Sequence, residues 1–497
     1  MTIFSINPAT LEKNGEVEEI SPEELEECFK KARLAQKDWR NVPLKERAHR
    51  VAKVNKYIAE HINDISLTIT SEVGKPLNES FISEVFTAMD STFYYYNNAE
   101  KFIVQKDIEL GFYSSLNKRS YLCYKPAGVV TVIGPFNYPF IIPFEQIVQA
   151  LIAGNAVIFK PSSDTVLVGQ KVQDVFDRGT DLPGGLLQTV FGSGSTIGDS
   201  LVSLTDRVVF TGSTETGKII MRRAAETLTP VCLELGGKSS MIVLPDANIE
   251  RAILAARWGC FTNSGQVCSS VKRLYLHESI KDYFTSRLVA LTKELRQGNP
   301  VEAGIDIGTM VNEAQLNKAL KMIEIAKEEG AKILCGGRRN PDLEGYFLEP
   351  TILDDCRNDM QCVQGEIFGP VLPIISFETP EEAIEMANNN PFGLTDSIWT
   401  KDLDKAEALA AQINTGTVMI NECVYTFALA ATPWGGVKSS GIGRTHDEFG
   451  FLEVMNPLHI NIDSSENPDV WWMPYDSNFD NYMENFKVLA KSLVIKE

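Results

Sequence analysis

Arg207-Val208-Val209-Phe210-Thr211-Gly212-Ser213-Thr214-Glu215-Thr216-Gly217-Lys218 runs from a short β-branched and aromatic stretch, through a glycine turn, into helix-compatible sequence. A strand that empties into such a turn and a helix start is half of a βαβ unit. Gly212 and Gly217 precede Lys218 at the spacing of a Walker loop, but Ile219 stands where a magnesium-holding hydroxyl belongs, which argues against phosphoryl transfer. The free N–H groups and dipole of the helix start still suit a pyrophosphate.

Outward from this unit the pattern repeats. Residues 129–133, 156–159 and 241–244 are further short apolar runs separated by helical or glycine-rich sequence, so a parallel sheet with helices on both faces is expected. Dinucleotides bind at the carboxyl ends of such sheets. Beyond residue 270, runs at 273–276, 332–334, 371–377, 395–399 and 417–420 alternate with helical stretches at 282–296, 314–329, 381–388 and 403–412, which predicts a second α/β domain. Upstream, Ser21-Pro22-Glu23-Glu24 is a capping box opening an amphipathic helix. Further helices are expected over 43–71, stopped by Gly74-Lys75-Pro76, and over 82–99. Residues 108–125 lose helical period and read as an antiparallel hairpin turning near Asn117-Lys118. In the C-terminal stretch Phe479, Tyr482, Phe486 and Leu489 share one helical face.

With 497 residues the chain exceeds one core, and two or three domains are expected. A net charge of −19 argues against nucleic acid and anionic membranes as partners. The N-terminus lacks a basic region followed by an apolar one, and a cytoplasmic protein is expected. Nine cysteines without a Cys-x-x-Cys pair argue against a disulfide framework and a zinc knuckle; five histidines show no ligand spacing, so no metal is expected.

Two residues carry chemistry. Cys268 lies in Thr262-Asn263-Ser264-Gly265-Gln266-Val267-Cys268-Ser269-Ser270, where small and polar neighbours leave room for a substrate to approach a thiol. Glu234 is delivered by the apolar run Val231-Cys232-Leu233 into Leu235-Gly236-Gly237, a setting that desolvates a carboxylate and raises its pKa toward that of a general base. Nucleophile and base together point to a covalent acyl intermediate released by activated water.

In order along the chain, Asn7-Pro8-Ala9-Thr10, Gly134-Pro135-Phe136-Asn137-Tyr138-Pro139, Lys160-Pro161-Ser162, Phe210-Thr211-Gly212-Ser213, Glu234-Leu235-Gly236-Gly237, Gly265-Gln266-Val267-Cys268, Glu366-Ile367-Phe368-Gly369-Pro370 and the segment 433–443 make the chain resemble the NAD(P)-dependent aldehyde dehydrogenase superfamily over residues 5–463. The resemblance implies an α/β fold with a Rossmann-type cofactor domain (1–107 and 127–236), a second α/β catalytic domain (237–445), a small β oligomerisation element (108–126 and 446–463) and a C-terminal extension (464–497). It implies a homodimer or homotetramer acting on a small-molecule aldehyde with NAD or NADP. Cys268 would attack the carbonyl; the Asn137 amide and the Cys268 N–H would hold the oxyanion; Glu234 would activate the hydrolytic water. Lys160 and Glu366 would grip the ribose hydroxyls, with Ser162 and Ser163 beside Lys160, Gly212 and Ser213 at the pyrophosphate and Phe368 beside the nicotinamide ribose.

One position departs from the family pattern: many NAD-preferring members carry glutamate where this chain has Ser163, so NADP is expected to be tolerated. The substrate pocket is expected to be lined by Tyr138, Ile142, Glu145, Val267, Ser269, Tyr425 and Phe427. CoA-acylating dehydrogenation is the competing reading within the fold, opposed by Glu234. A cysteine hydrolase or acyltransferase without redox chemistry is the competing reading outside it.

Overall fold

The computed structural model of the protein describes residues 1–469, 471–475 and 478–495. Two sheets dominate it. The first has six strands in the order Gly441–Ile442, Val231–Glu234, Arg207–Thr211, Val129–Ile133, Ala156–Lys160, Leu187–Thr189. All neighbours are parallel except the pairing of Gly441–Ile442 with Val231–Glu234. Chain order runs outward from Val129–Ile133 in both directions, so strand order reverses between it and Arg207–Thr211. A reversal of that kind opens a crevice at the carboxyl ends. Ile133 pairs with Lys160 on one side and Phe210 on the other, which places both at its mouth.

The second sheet has seven strands: Lys332–Cys335, Thr351–Asp354, Val371–Phe377, Arg273–His277, Ser240–Val243, Thr395–Trp399 and Thr417–Ile420. Its faces are sorted by strand alternation. Met241, Val243, Leu274 and Leu276 pack with helices Ile249–Phe261 and Glu278–Lys293; Ile242, Tyr275, Ile375 and Ile398 pack with Glu313–Glu328, Pro380–Asn388 and Leu403–Ala410. Each such aliphatic side chain contributes about 1.5–3 kcal/mol on burial.

Several boundaries differ from expectation. The run at 241–244 belongs to the second sheet, and the strand that extends the first is Val231–Glu234. Both are short apolar runs, which periodicity alone cannot assign to a sheet. Helix 43–71 is three pieces, Leu44–Ala52, Val54–Glu60 and Ile62–Val73, the last ended by Gly74 at φ 82. The capping box is present: Ser21 Oγ accepts from Glu24 N and Glu24 Oε2 from Ser21 N.

Packing divides the chain into two units, Met1–Ile103 with Lys125–Asn456 and Val104–Tyr124 with Pro457–Glu497. Both large sheets fall within the first. In the second, Lys106–Ile108 pairs antiparallel with Lys118–Pro126, which lies beside Met455–Asp463. The expected hairpin turn at Asn117-Lys118 is instead a longer link containing the 3-10 segment Gly111–Leu116, with Asn117 at φ 58 leading into the strand. Helix Asn478–Ser492 belongs to the same unit and sets Phe486 against Phe112, ring centres 5.4 Å apart, so the C-terminal stretch packs with the β element. Among the described residues no helix is long and apolar enough to cross a membrane.

Candidate active site

Helix Ile249–Phe261 ends in the 3-10 turn Thr262–Gly265, where Asn263, Ser264 and Gly265 all have positive φ (48°, 51° and 69°). Two successive non-glycine residues in this region cost about 1–3 kcal/mol each and persist only when clamped. The clamps are specific. Thr262 Oγ1 and Asn263 N donate to the half-buried Glu79 carboxylate at 3.0 and 2.8 Å. Gln266 Nε2 donates to Asn263 O and Thr309 O, while its Oε1 accepts from Val311 N. A Cβ on Gly265 would lie 2.3 Å from Gly369 O, and one on Gly237 would lie 2.2 Å from Cys268 O, so both glycines are sterically required. The result is a fixed loop that presents Cys268 half-buried. Burial, then the neighbouring Glu234 and Glu366, push its thiol up to about 12, against the pull of the Ser269 and Cys268 backbone N–H groups.

Glu234 ends its strand with its main-chain oxygen bonded to Gly212 N, so the strand end and the Gly212 turn are fixed together. The carboxyl is buried and lies well above the ordinary carboxylate range, chiefly through desolvation; Arg444 and a hydrogen bond from Trp434 pull it down, Glu453 pushes it up. Its Oε1 has no partner among the described residues. Glu234 and Cys268 line one small chamber with Ile142, Gln146, Thr211, Leu235, Phe427, Trp434 and Thr445.

Asn137 reaches the same point from the other side. Its Nδ2 donates to Gln266 O at 2.9 Å, which uses one amide hydrogen and leaves the second. Asn137 and Cys268 also line a cleft of about 430 Å³ that continues over the carboxyl ends of the first sheet, bordered by Lys160, Ser162, Ser163, Gly212, Ser213, Glu366 and Phe368. Glu366 accepts from Gly237 N at 3.1 Å, and a Cβ on Gly236 would lie 2.8 Å from its Oε1. Phe368 is held at φ 54 and meets Phe136 edge-on, centroids 5.7 Å apart. Desolvation lowers the Lys160 ammonium to about 8 although Asp164 and Glu19 oppose the shift; its Nζ donates to Pro161 O. Ser213 caps helix Thr214–Thr227 through Thr216 N. A capped helix start, an ammonium and a carboxylate around one elongated cleft are a donor and acceptor set that fits a dinucleotide.

The structure thus brings the sequence-selected residues together, nine along the cleft and Glu234 in the adjoining chamber. The expected pocket lining is only partly right. Ile142 and Phe427 face the chamber, but Val267 is core, Ser269 is buried against Val424 O, and Glu145 is buried with Tyr95 and His446. Tyr138 lies under the Lys75 ammonium, 3.7 Å from ring centre to Nζ. Trp434, Gln146 and Thr445 had not been singled out for the chamber, nor Asp164, Gln315 and Lys318 for the cleft. Asn312, which caps helix Glu313–Glu328, also donates to Asp164 Oδ1 at 3.0 Å, a link between distant segments that no local motif announces. No cluster of metal-ligating side chains occurs among the described residues.

Comparison with known proteins agrees with this geometry. A family model described as the aldehyde dehydrogenase family matches residues 1–460. An aminoaldehyde dehydrogenase of Pisum sativum is 36% identical, covering 95% of this chain and 94% of that protein, and a betaine aldehyde dehydrogenase of Beta vulgaris is 35% identical over 94% of each. The solved NAD+ complex of an aldehyde dehydrogenase from Bacillus cereus superposes with a TM-score of 0.90 at 33% identity, covering 94% of both chains.

Proposed function

The chain belongs to the aldehyde dehydrogenase family and oxidises an aldehyde to the carboxylic acid with NAD(P), and on that premise we propose which side chains carry the reaction. The observation that supports the assignment best is that Cys268 and Glu234 line one small chamber with Asn137 beside it. The Cys268 thiol gives up its proton to solvent and adds as thiolate to the aldehyde carbon. The alkoxide so formed is held by the remaining Asn137 amide hydrogen and the Cys268 N–H, donors already fixed before charge develops. Bound NAD(P) would supply the hydride acceptor for that carbon. Glu234, through its unpartnered Oε1, takes a proton from the water that cleaves the thioester. A base in the thiol's own chamber favours water over an external thiol as acceptor. Of the residues lining the cleft, Lys160 and Glu366 would hold the ribose hydroxyls, with Ser162 and Ser163 alongside, Gly212 and Ser213 would take the pyrophosphate at the helix start, and Phe368 would flank the nicotinamide ribose.

The test separates the two half-reactions. Cys268→Ala should abolish oxidation while NAD+ binding stays within about twofold; turnover within tenfold of the parent removes Cys268 from the mechanism. Glu234→Gln should give one burst of reduced cofactor per site and then stall, and steady turnover at the parent rate without a burst would refute its role as base.

For substrate, we propose aldehydes carrying an amine or ammonium group. The relatives named for aminoaldehydes and betaine aldehyde support this, as do the aromatic walls Phe427 and Trp434, which suit a cation. In a panel, 3-aminopropanal or betaine aldehyde should exceed propanal in kcat/KM; the reverse order refutes the class. NADP is admitted beside Ser163, with NAD retained. The first sheet with its helices (1–107 and 127–236) serves as cofactor domain and 237–445 as catalytic domain. A homodimer or homotetramer forms through the β element, supported by the exposed edge strand Lys106–Ile108. Nine unpaired thiols support a reducing, cytoplasmic setting.

A further inference from the structure

Behind the oxyanion side of the site lies an ion pair that the reaction as described does not use. Lys75 and Glu84 are completely buried and joined Nζ to Oε1 at 2.7 Å. The same ammonium donates to the main-chain oxygen of Asn137 at 2.7 Å and sits over the Tyr138 ring. Glu84 Oε2 accepts from Phe140 N at 2.8 Å and Ile141 N at 3.3 Å, at the start of helix Ile141–Ala153. The pair therefore grips the short segment 137–141 at both ends. Asn263 Nδ2 donates to the same Asn137 oxygen at 2.9 Å, so that oxygen is also tied to the loop carrying Cys268.

A buried ion pair is weak evidence for stability, because desolvation offsets the attraction. Its hydrogen bonds converge on the backbone of segment 137–141, which begins with the residue whose amide faces the nucleophile's loop. We infer that Lys75, held by Glu84, is a positioning residue for oxidation: it fixes the Asn137 peptide so that the side-chain amide points at the alkoxide formed on Cys268. The inference rests on the oxyanion role proposed for Asn137. Lys75 touches neither substrate nor cofactor, and its effect passes through Asn137.

The experiment measures the first-turnover rate of cofactor reduction with NAD+ and propanal in the full-length enzyme. Lys75→Met alone strands a buried carboxylate, so the informative variant is Lys75→Met/Glu84→Gln, which removes both charges and keeps an amide oxygen for Phe140 and Ile141. It should keep the parent's NAD+ affinity and melting temperature and lose about 10- to 100-fold in first-turnover rate, the effect of misplacing one group by about an ångström. Asn137→Ala should lose about 10²- to 10³-fold. The triple variant should be no slower than Asn137→Ala, because Lys75 has nothing left to position. A folded double variant with the parent's rate overturns the inference. So does a loss that multiplies with that of Asn137→Ala, and so does a double variant that cannot fold, since the pair would then serve the fold itself. If Asn137→Ala keeps the parent's rate, the oxyanion assignment fails first and the inference with it.

Discussion

At the scale of single residues the site is organised by desolvation. The Cys268 thiol, pushed up to about 12, is mainly uncharged near neutrality in the free enzyme, and burial likewise raises the Glu234 carboxyl well above its usual range. Raising the pH ionises each, so reactivity should climb on the alkaline side: alkylation of Cys268 by iodoacetamide should rise about tenfold per pH unit from 7 to 10. A plateau below pH 9 would mean a stronger thiolate stabiliser than the structure holds. The proposed tolerance of NADP also rests on local charge. Ser163 lacks the acidic group common at that position, yet Asp164 next to it borders the cleft, with one oxygen held by Asn312. Removing that charge by Asp164→Asn should raise the NADP-to-NAD ratio of kcat/KM at least fivefold, and Ser163→Glu should lower it by as much, a like-charge contact of about 1–3 kcal/mol. If neither ratio moves, the 2′-phosphate is read elsewhere.

The elements show what could be read in advance and what could not. The unit Arg207–Thr211, Gly212, Ser213 and Thr214–Thr227 was legible because its strand, glycine and cap are contiguous in sequence. Cys268 and Glu234 were legible because their small and apolar neighbours lie beside them in the chain. Trp434, Asp164 and Lys318 were not, since each reaches the site by tertiary packing, and the grouping of strands 231–234 and 240–243 into different sheets depends on pairing that periodicity does not encode. The strain in Thr262–Gly265 was likewise hidden, because Asn263 and Ser264 read as an ordinary polar loop. Ser264 combines a left-handed conformation, worth about 1–2 kcal/mol against it, with a buried hydroxyl that has no partner among the described residues. Glycine relieves both and costs about 0.5–1 kcal/mol in chain entropy. Ser264→Gly should therefore raise stability by about 1 kcal/mol in denaturant titration, and a loss would show that the hydroxyl is bonded.

For the whole molecule, the decisive arrangement is that the cleft draws on both large sheets while both lie in one packed unit. Lys160, Gly212 and Ser213 come from the strand ends and turns of the first; Glu366 and Phe368 lead into the Val371–Phe377 strand of the second, and Lys318 rides on a helix covering it. The bond from Gly237 N to Glu366, between segments far apart in sequence, ties the two sides together at the cleft itself. A ligand that binds only the folded cleft stabilises every element that must be formed to build it, by RT ln(1 + [L]/Kd), or about 2.7 kcal/mol at a hundred times Kd. Because the elements come from both sheets, NAD+ at that concentration should move one cooperative calorimetric transition upward by a few degrees, with no part of the two-sheet heat left behind. Two resolved transitions from this unit, of which NAD+ shifts only the earlier, would mean that the sheets unfold independently and that the cofactor is held by the first alone.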